Sequence, residues 1–225
     1  MLSGIRVLDF TNQLGWIAGR ILADLGADVV KVEPPDMDIT DSAWQAHNLN
    51  KRCLALDHTT KAGEEAVFAL APFADILLET ALPGSLEAEL FHDASFREKN
   101  ERLIQVSITP FGRDGPRSSW LASDLEMMAA GGAMSLAGEA EGMPVRISSP
   151  QSGGWAGAAA ATGALTALKA RERTGRGQLV DVSAQAAIIA ALANAPTFYD
   201  LEGTVPTRAG SFVTGRSVEG ARYRV

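Results

Sequence analysis

The chain has 225 residues, a formal net charge of −7 and a single cysteine, long enough to bury about 70–75% of its unfolded surface around a large core without a staple. The acidic balance excludes a general nucleic-acid binder, which needs Lys and Arg gathered over a face. Cys53 has no partner for an intrachain disulfide, which fits a reducing compartment. No basic segment precedes an apolar one at Met1, and no window reaches the roughly 18 consecutive apolar residues of a membrane helix, so the chain reads as soluble and cytoplasmic, with no membrane partner.

Residues 5–10, IRVLDF, are a short strand-like run, and 16–27, WIAGRILADLGA, follow with Ile17, Ile21, Leu22 and Leu25 at helical spacing and Gly26 as the stop. DVVKVE (28–33) reads as a second strand ended by Pro34 and Pro35, which completes a βαβ unit and requires a parallel sheet there. The pattern repeats as strand 53–57, amphipathic helix 61–74 and strand 75–80, with RLIQVSIT (102–109) as one more strand. Alternating elements of these lengths predict an α/β, doubly wound, mostly parallel sheet with helices on both faces.

From 123–138, a predicted helix, the composition shifts toward Ala, Gly and Ser, and a long helix is predicted from about Trp155 to Arg173, closed by TGRG. The arginines near its end suit a helix C-terminus and read as structural. QLVDVS (178–183) is a further strand and 184–195 an apolar helix. After Pro196 the chain turns polar and reads as a linker containing Gly203, Pro206, Gly210 and Gly215, while the terminal ARYRV alternates like a strand.

Few local motifs carry chemistry. Glu33 after the second strand suits a dinucleotide site, but FTNQLGWIAG lacks the G-x-G-x-x-G that pyrophosphate approach requires, and no phosphate loop is present. His47, His58 and His92 have no metal-ligand spacing and read as solvated or locally bonded, so no metal is expected. No G-x-S-x-G supports a hydrolase elbow. The glycine-rich turn PQSGGWAG (150–157) heads the long helix, where unpaired N–H groups can cradle an anion or support a reactive side chain.

Five segments in order, GIRVLDFTNQLGWIAGRILADLGADVVKVEPP, NKRCLALD, ADILLETALPGSLE, LIQVSITPFGRDGP and ARERTGRGQLVDVSAQ, resemble the class III CoA-transferases (CaiB/BaiF type), a family that includes formyl-CoA transferase, carnitine CoA-transferase and alpha-methylacyl-CoA racemase. The resemblance covers nearly the whole chain. It implies a Rossmann-like large domain that binds CoA, a smaller domain inserted later, a last segment that returns to the large domain, and interlocked dimers. On this comparison residues 1–196 are expected to be the N-terminal part of the large domain and 197–225 a linker and the start of a truncated small domain, without the small domain proper or the C-terminal return. The sequence is then a fragment or a truncated paralogue.

The resemblance also carries CoA-binding positions to this chain: Gln13 and Leu14 in the loop after the first strand, Leu56, Asp57, His58 and Thr59 along the nucleotide part, Thr80 and Ala81 after a later strand, and Ser123 and Asp124 beside the acyl end. The first of these loops looks one residue shorter than in the family, Thr59 stands where a lysine is common, and Ala81 replaces an aromatic residue. The family nucleophile is an aspartate that attacks an acyl-CoA thioester to form a mixed anhydride and then becomes a CoA thioester as the acyl group departs. Its position falls at Ser152 or Gly153, and no Asp or Glu lies between Glu141 and Glu172. Glu172 is about 18 residues along the helix, roughly 27 Å away, and is excluded by distance. The histidine of the racemase branch is replaced by Ser123, which argues against alpha-proton racemisation.

These comparisons imply a chain that binds acyl-CoA and takes part in CoA transfer between carboxylic acids, within a homo- or hetero-oligomer that includes a CoA-transferase homologue or with a missing C-terminal part. The alternatives are an inactive CoA-binding paralogue or fragment, and a thioesterase using Ser152, which needs a base. Asp124 is a candidate acid/base that a cap at the start of the 123–138 helix explains as well, and for Ser152 a structural helix cap is the default reading.

Overall fold

The computed structural model describes residues 1–192, 194–208, 210, 212–214 and 222–224. It opens with β1 (Arg6–Asp9), α1 (Trp16–Asp24) and β2 (Asp28–Glu33). The apolar stripe of α1 faces the sheet, and Gly26, at φ +98°, turns the chain into β2. α2 (Ser42–His47) comes next, an element that hydrophobic periodicity does not reveal; Asp41 caps it by accepting from the Trp44 N–H at 2.7 Å. Then follow β3 (Arg52–Ala55), α3 (Lys61–Leu70), a 3₁₀ turn over Ala71–Phe73, β4 (Ile76–Glu79), α4 (Leu86–Leu90), α5 (Asp93–Lys99) and β5 (Ile104–Thr109).

The remaining elements are α6 (Asp124–Ala130), α7 (Ala133–Leu136), α8 (Ser152–Thr174), β6 (Leu179–Ser183), α9 (Ala184–Ala191), α10 (Asn194–Glu202), β7 (Phe212–Thr214) and β8 (Arg222–Arg224). Two sequence expectations change here. The helix expected over 123–138 is two helices, because Gly132 adopts φ +84°, a left-handed conformation that breaks the ladder. The segment after Pro196 is helical through Glu202 rather than a linker. Pro196 is the third residue of α10, within the first turn, where a missing N–H breaks no intrahelical bond. The terminal alternation does form a strand at Arg222–Arg224, paired antiparallel with β7 in a separate two-stranded sheet.

The main sheet has six parallel strands in the order β3-β2-β1-β4-β5-β6. Alternate residues of each strand serve opposite faces. Val7, Ile76, Leu78, Ile104, Val106 and Ile108 meet α1, α6, α8 and α9 on one side, while Leu8 and Leu77 meet Val67, Phe91 and Phe96 on the other. The sequence therefore had the architecture right: an α/β doubly wound parallel sheet.

The alanines of α8, among them Ala156, Ala160 and Ala164, are fully buried, and its small residues let α1 approach closely. A Cβ on Gly157 would lie 2.7 Å from Ile17 Cβ and 2.9 Å from the Ala18 nitrogen. At the far end of α8, Arg171 bonds to Asp75 Oδ1 and to the Arg102 carbonyl, both at 3.0 Å, which ties the helix to the starts of β4 and β5. The arginine-rich exit of this helix is structural in this respect.

Candidate active site

In a doubly wound sheet the strand order reverses between β1 and β4, and the loops leaving their carboxyl ends diverge to open a crevice. A cavity of about 630 Å³ lies there, walled by Asn12, Gln13 and Leu14 after β1, Thr80, Leu82 and Ser85 after β4, and the starts of α6 and α8.

The loop after β1 is shaped from beneath. Asp9, fully buried at the end of β1, accepts from the Thr11 N–H and hydroxyl at 3.0 and 2.6 Å and from Lys51 Nζ at 2.7 Å. Lys51 also donates to the Trp16 carbonyl and to Asn48 Oδ1, each at 2.7 Å. Burial alone would raise the Asp9 carboxyl, but the Lys51 and Lys31 charges and these hydrogen bonds leave it below its ordinary range. Above this, the Asn12 N–H donates to Thr80 Oγ1 at 2.9 Å, which joins the two loops of the crevice. Glu79 completes the turn after β4: its carboxylate accepts from the Ala81 N–H at 2.6 Å and from Arg113 at 3.3 Å, while burial pushes its pKa up.

The capping roles at the far wall differ from those expected from sequence, which had Asp124 capping the helix at 123–138 and Ser152 capping the long one. Ser123, not Asp124, caps α6; it forms a capping box in which its N–H donates to Glu126 Oε2 at 2.6 Å. Ser152 does not cap α8 either. It is the first helical residue, and the cap is supplied from α6: Asp124 Oδ1 accepts from the Gln151 N–H at 2.7 Å, the Ser152 N–H at 2.8 Å and the Ser152 hydroxyl at 2.8 Å. Partial burial raises the Asp124 carboxyl, but these bonds outweigh it and hold the group below the usual carboxylate range. The anion cradle read in PQSGGWAG thus exists, and the chain's own aspartate fills it.

Gly153 follows on the cavity wall. A Cβ there would lie 2.7 Å from the Gln13 carbonyl oxygen, so the loop after β1 leaves no room for a side chain.

Of the residues singled out by sequence, Gln13, Leu14, Thr80, Ser123, Asp124, Ser152 and Gly153 line this one cavity. Leu56, Asp57, His58, Thr59 and Ala81 do not. Asp57 Oδ1 instead closes a local turn on the Thr59 N–H and hydroxyl, at 3.0 and 2.6 Å. The ring of His58 lies against Phe10 and Phe91 and contacts Glu87 Oε1 at 3.0 Å, and Glu87 itself reaches the cavity. Sequence reasoning missed His47 and Glu87 on the wall. They arrive on α2 and α4, short helices that only the caps Asp41 and Ser85 foretell. His47 is locally bonded, 2.7 Å from the Ala43 carbonyl oxygen. Among the described residues no three His, Cys, Asp or Glu side chains gather as metal ligands.

Residues 2–222 match the family described as CoA-transferase family III. The chain is 38% identical over 218 residues to succinyl-CoA:(R)-benzylsuccinate CoA-transferase subunit BbsE of Thauera aromatica, covering 90% of this chain and 53% of that protein. It is 38% identical over 200 residues to formyl-CoA:oxalate CoA-transferase of Streptomyces avermitilis, covering 84% and 49%. A crystal structure of a CAIB/BAIF family protein from Brucella suis superimposes with a TM-score of 0.87 at 31% identity, over 93% of this chain and 60% of that one. The chain spans about half the length of the curated relatives it matches. The same fold, the ordered motifs and a match from one end of the sequence almost to the other lead to one conclusion: this chain belongs to CoA-transferase family III.

Proposed function

We propose that this chain binds acyl-CoA in the crevice between β1 and β4 and takes part in CoA transfer between carboxylic acids, with the nucleophilic carboxylate supplied by a homologous partner subunit or by a further part of the protein. What supports this reading is a formed cavity whose wall carries Ser152 and Gly153, neither of them a carboxylate, with Gly153 packed against the Gln13 carbonyl. Residues of the loop after β1 and of the first turns of α6 and α8 hold and orient the thioester; the carboxylate that forms the anhydride comes from elsewhere. A relative named as a subunit, BbsE, favours the partner reading. In the same reading residues 1–196 belong to the large domain and 197–225 lead toward a small one, with α10 crossing the boundary.

Ser152 gains no support as a thioesterase nucleophile. It is 3% exposed, and its hydroxyl proton is already directed to Asp124, a carboxylate whose lowered pKa makes it a weak base. Asp124 acts here as the cap that fixes the wall rather than as an acid/base.

The test is CoA transfer from an acyl-CoA donor to a carboxylic acid acceptor, measured by mass spectrometry for the purified chain alone and after co-expression with an aspartate-bearing homologue. Transfer only in the mixture, with any hydroxylamine-sensitive adduct on the homologue, is expected. Full transfer by the chain alone overturns the reading. Tight acyl-CoA binding with no transfer in any mixture favours an inactive CoA-binding paralogue.

A further inference from the structure

α2 brings one imidazole to the crevice and fixes how it is presented. The helix buries none of its own residues and is held by polar contacts: Asp41 caps its start, Trp44 Nε1 donates to Glu33 Oε1 at 2.8 Å, and Asn48 Oδ1 at its end accepts from Lys51 Nζ at 2.7 Å. His47, half-buried on the cavity wall, leans on the Trp16 ring with the centroids 6.2 Å apart. Its Nδ1 lies 2.7 Å from the Ala43 carbonyl oxygen, and a carbonyl only accepts, so Nδ1 carries the hydrogen. In the neutral ring Nε2 is then a bare acceptor; it has no partner among the described residues and is not occluded. The described residues of the wall include no Lys or Arg, while Glu87 and Asp124 both line it. The cations packed around α2 are engaged elsewhere: Arg20 donates to the Ala46 carbonyl and pairs with Asp24, Lys31 pairs with Glu33, and Lys51 pairs with the buried Asp9. His47 is thus the one described wall residue able to become a cation.

We infer that His47 is the carboxylate-binding residue of this cavity: it takes a proton on Nε2 and donates it, as an imidazolium, to the carboxylate of the acid substrate. The inference rests on the acyl-CoA reading above and names the residue that receives the acid. CoA transfer brings one carboxylate in as acceptor and lets another out as product, through a cavity that already holds two acidic side chains. Like charges in a partly desolvated site repel more strongly than in water, so the acid needs a positive partner there. The same acidic groups favour the charged form of an imidazole beside them. With the Nδ1 hydrogen committed to Ala43, the neutral ring offers a carboxylate only a lone pair. Binding and proton uptake therefore occur together, the proton coming from solvent and returning there when the acid leaves. One imidazolium with a single free N–H matches a carboxylate rather than the diphosphate of CoA.

Butyrate and butyramide share a carbon chain and differ in charge, so titrating each into the full chain with excess CoA, in buffers of different ionisation enthalpy, isolates the coupled proton. Butyrate is expected to bind with uptake of about half a proton or more at pH 7.5, where a free imidazole is mostly neutral, and butyramide with none. Butyrate affinity should fall as pH rises toward 8, by up to about tenfold per unit. In the same wild-type titration the His47 Nε2 nitrogen resonance should move from the unprotonated to the protonated range. His47→Gln, neutral at every pH, should abolish the uptake and weaken butyrate binding about fivefold or more at pH 6.5. No butyrate binding, binding without proton uptake, or uptake that survives in His47→Gln overturns the inference, and CoA binding in the same samples leaves the acyl-CoA reading standing. A chain that does not bind CoA overturns that reading, whatever the acid does.

Discussion

At the scale of single residues, two buried or half-buried carboxylates do the positioning, and each is held by different means. Asp9 depends on Lys51: both side chains are essentially inaccessible, and the pair fixes the loop that carries Gln13 and Leu14. Lys51→Met leaves a buried, unpaired carboxylate, and a loss of about 3–5 kcal/mol is expected in urea denaturation at pH 7. The native Asp9 pKa is depressed, so its contribution is present above the unfolded value and is lost as pH falls through the folded one. In the variant the unpaired carboxyl is easier to bury when protonated, so the deficit should shrink between pH 7 and pH 4. Asp124 depends on hydrogen bonds rather than on a countercharge. Asp124→Ala removes all three acceptor contacts at the start of α8 and should cost about 1–2 kcal/mol, whereas Ser152→Ala deletes one and should cost about 1 kcal/mol. Acyl-CoA hydrolysis that depended on the Ser152 hydroxyl would contradict its assignment as a buried donor.

Among elements, the contact between α1 and α8 decides how the crevice closes. It is built from glycine and alanine, and its closeness puts Gly153 against the Gln13 carbonyl and Gly157 against Ile17. Gly157→Val should destabilise by about 1–3 kcal/mol through overpacking, seen as a lower urea midpoint with unchanged slope. Gly153→Asp puts a carboxylate at one of the two positions where the resemblance expects the nucleophile, but drives a Cβ to 2.7 Å from a backbone oxygen. It should lower stability by a similar amount and yield no hydroxylamine-sensitive adduct on acyl-CoA addition, since the loop after β1 must withdraw before that carboxylate can meet a thioester. The longer elements were legible beforehand because β5 and α8 bury continuous apolar or small-residue faces. α2 and α4 were not, because six and five residues are too short to display a period. The break at Gly132 was missed for the opposite reason: the apolar residues on either side read as one helix, and only the left-handed φ separates them.

For the whole molecule, the strand order places loops from distant parts of the sequence at one switch point, and ligand binding there should couple to global stability. On the proposed reading, an acyl-CoA at a hundredfold excess over its dissociation constant should stabilise the fold by about 2.7 kcal/mol, roughly 5–10 °C in melting temperature for a chain of this size. Absence of a shift at saturating ligand would count against the cavity as the thioester site.

The sequence alone determined the parallel α/β architecture, the family, and the missing carboxylate between Glu141 and Glu172, because periodicity, ordered motifs and the absence of a residue type are all written locally. Only the tertiary structure decided what stands at the head of α8. Asp124 and Ser152 are 28 residues apart in sequence, and no local pattern reports that one caps the other. Nor does any report that Gln13 closes over Gly153. Those contacts depend on how near α6, α8 and the loop after β1 come to rest, and that distance is set by the packing of small side chains across the fold.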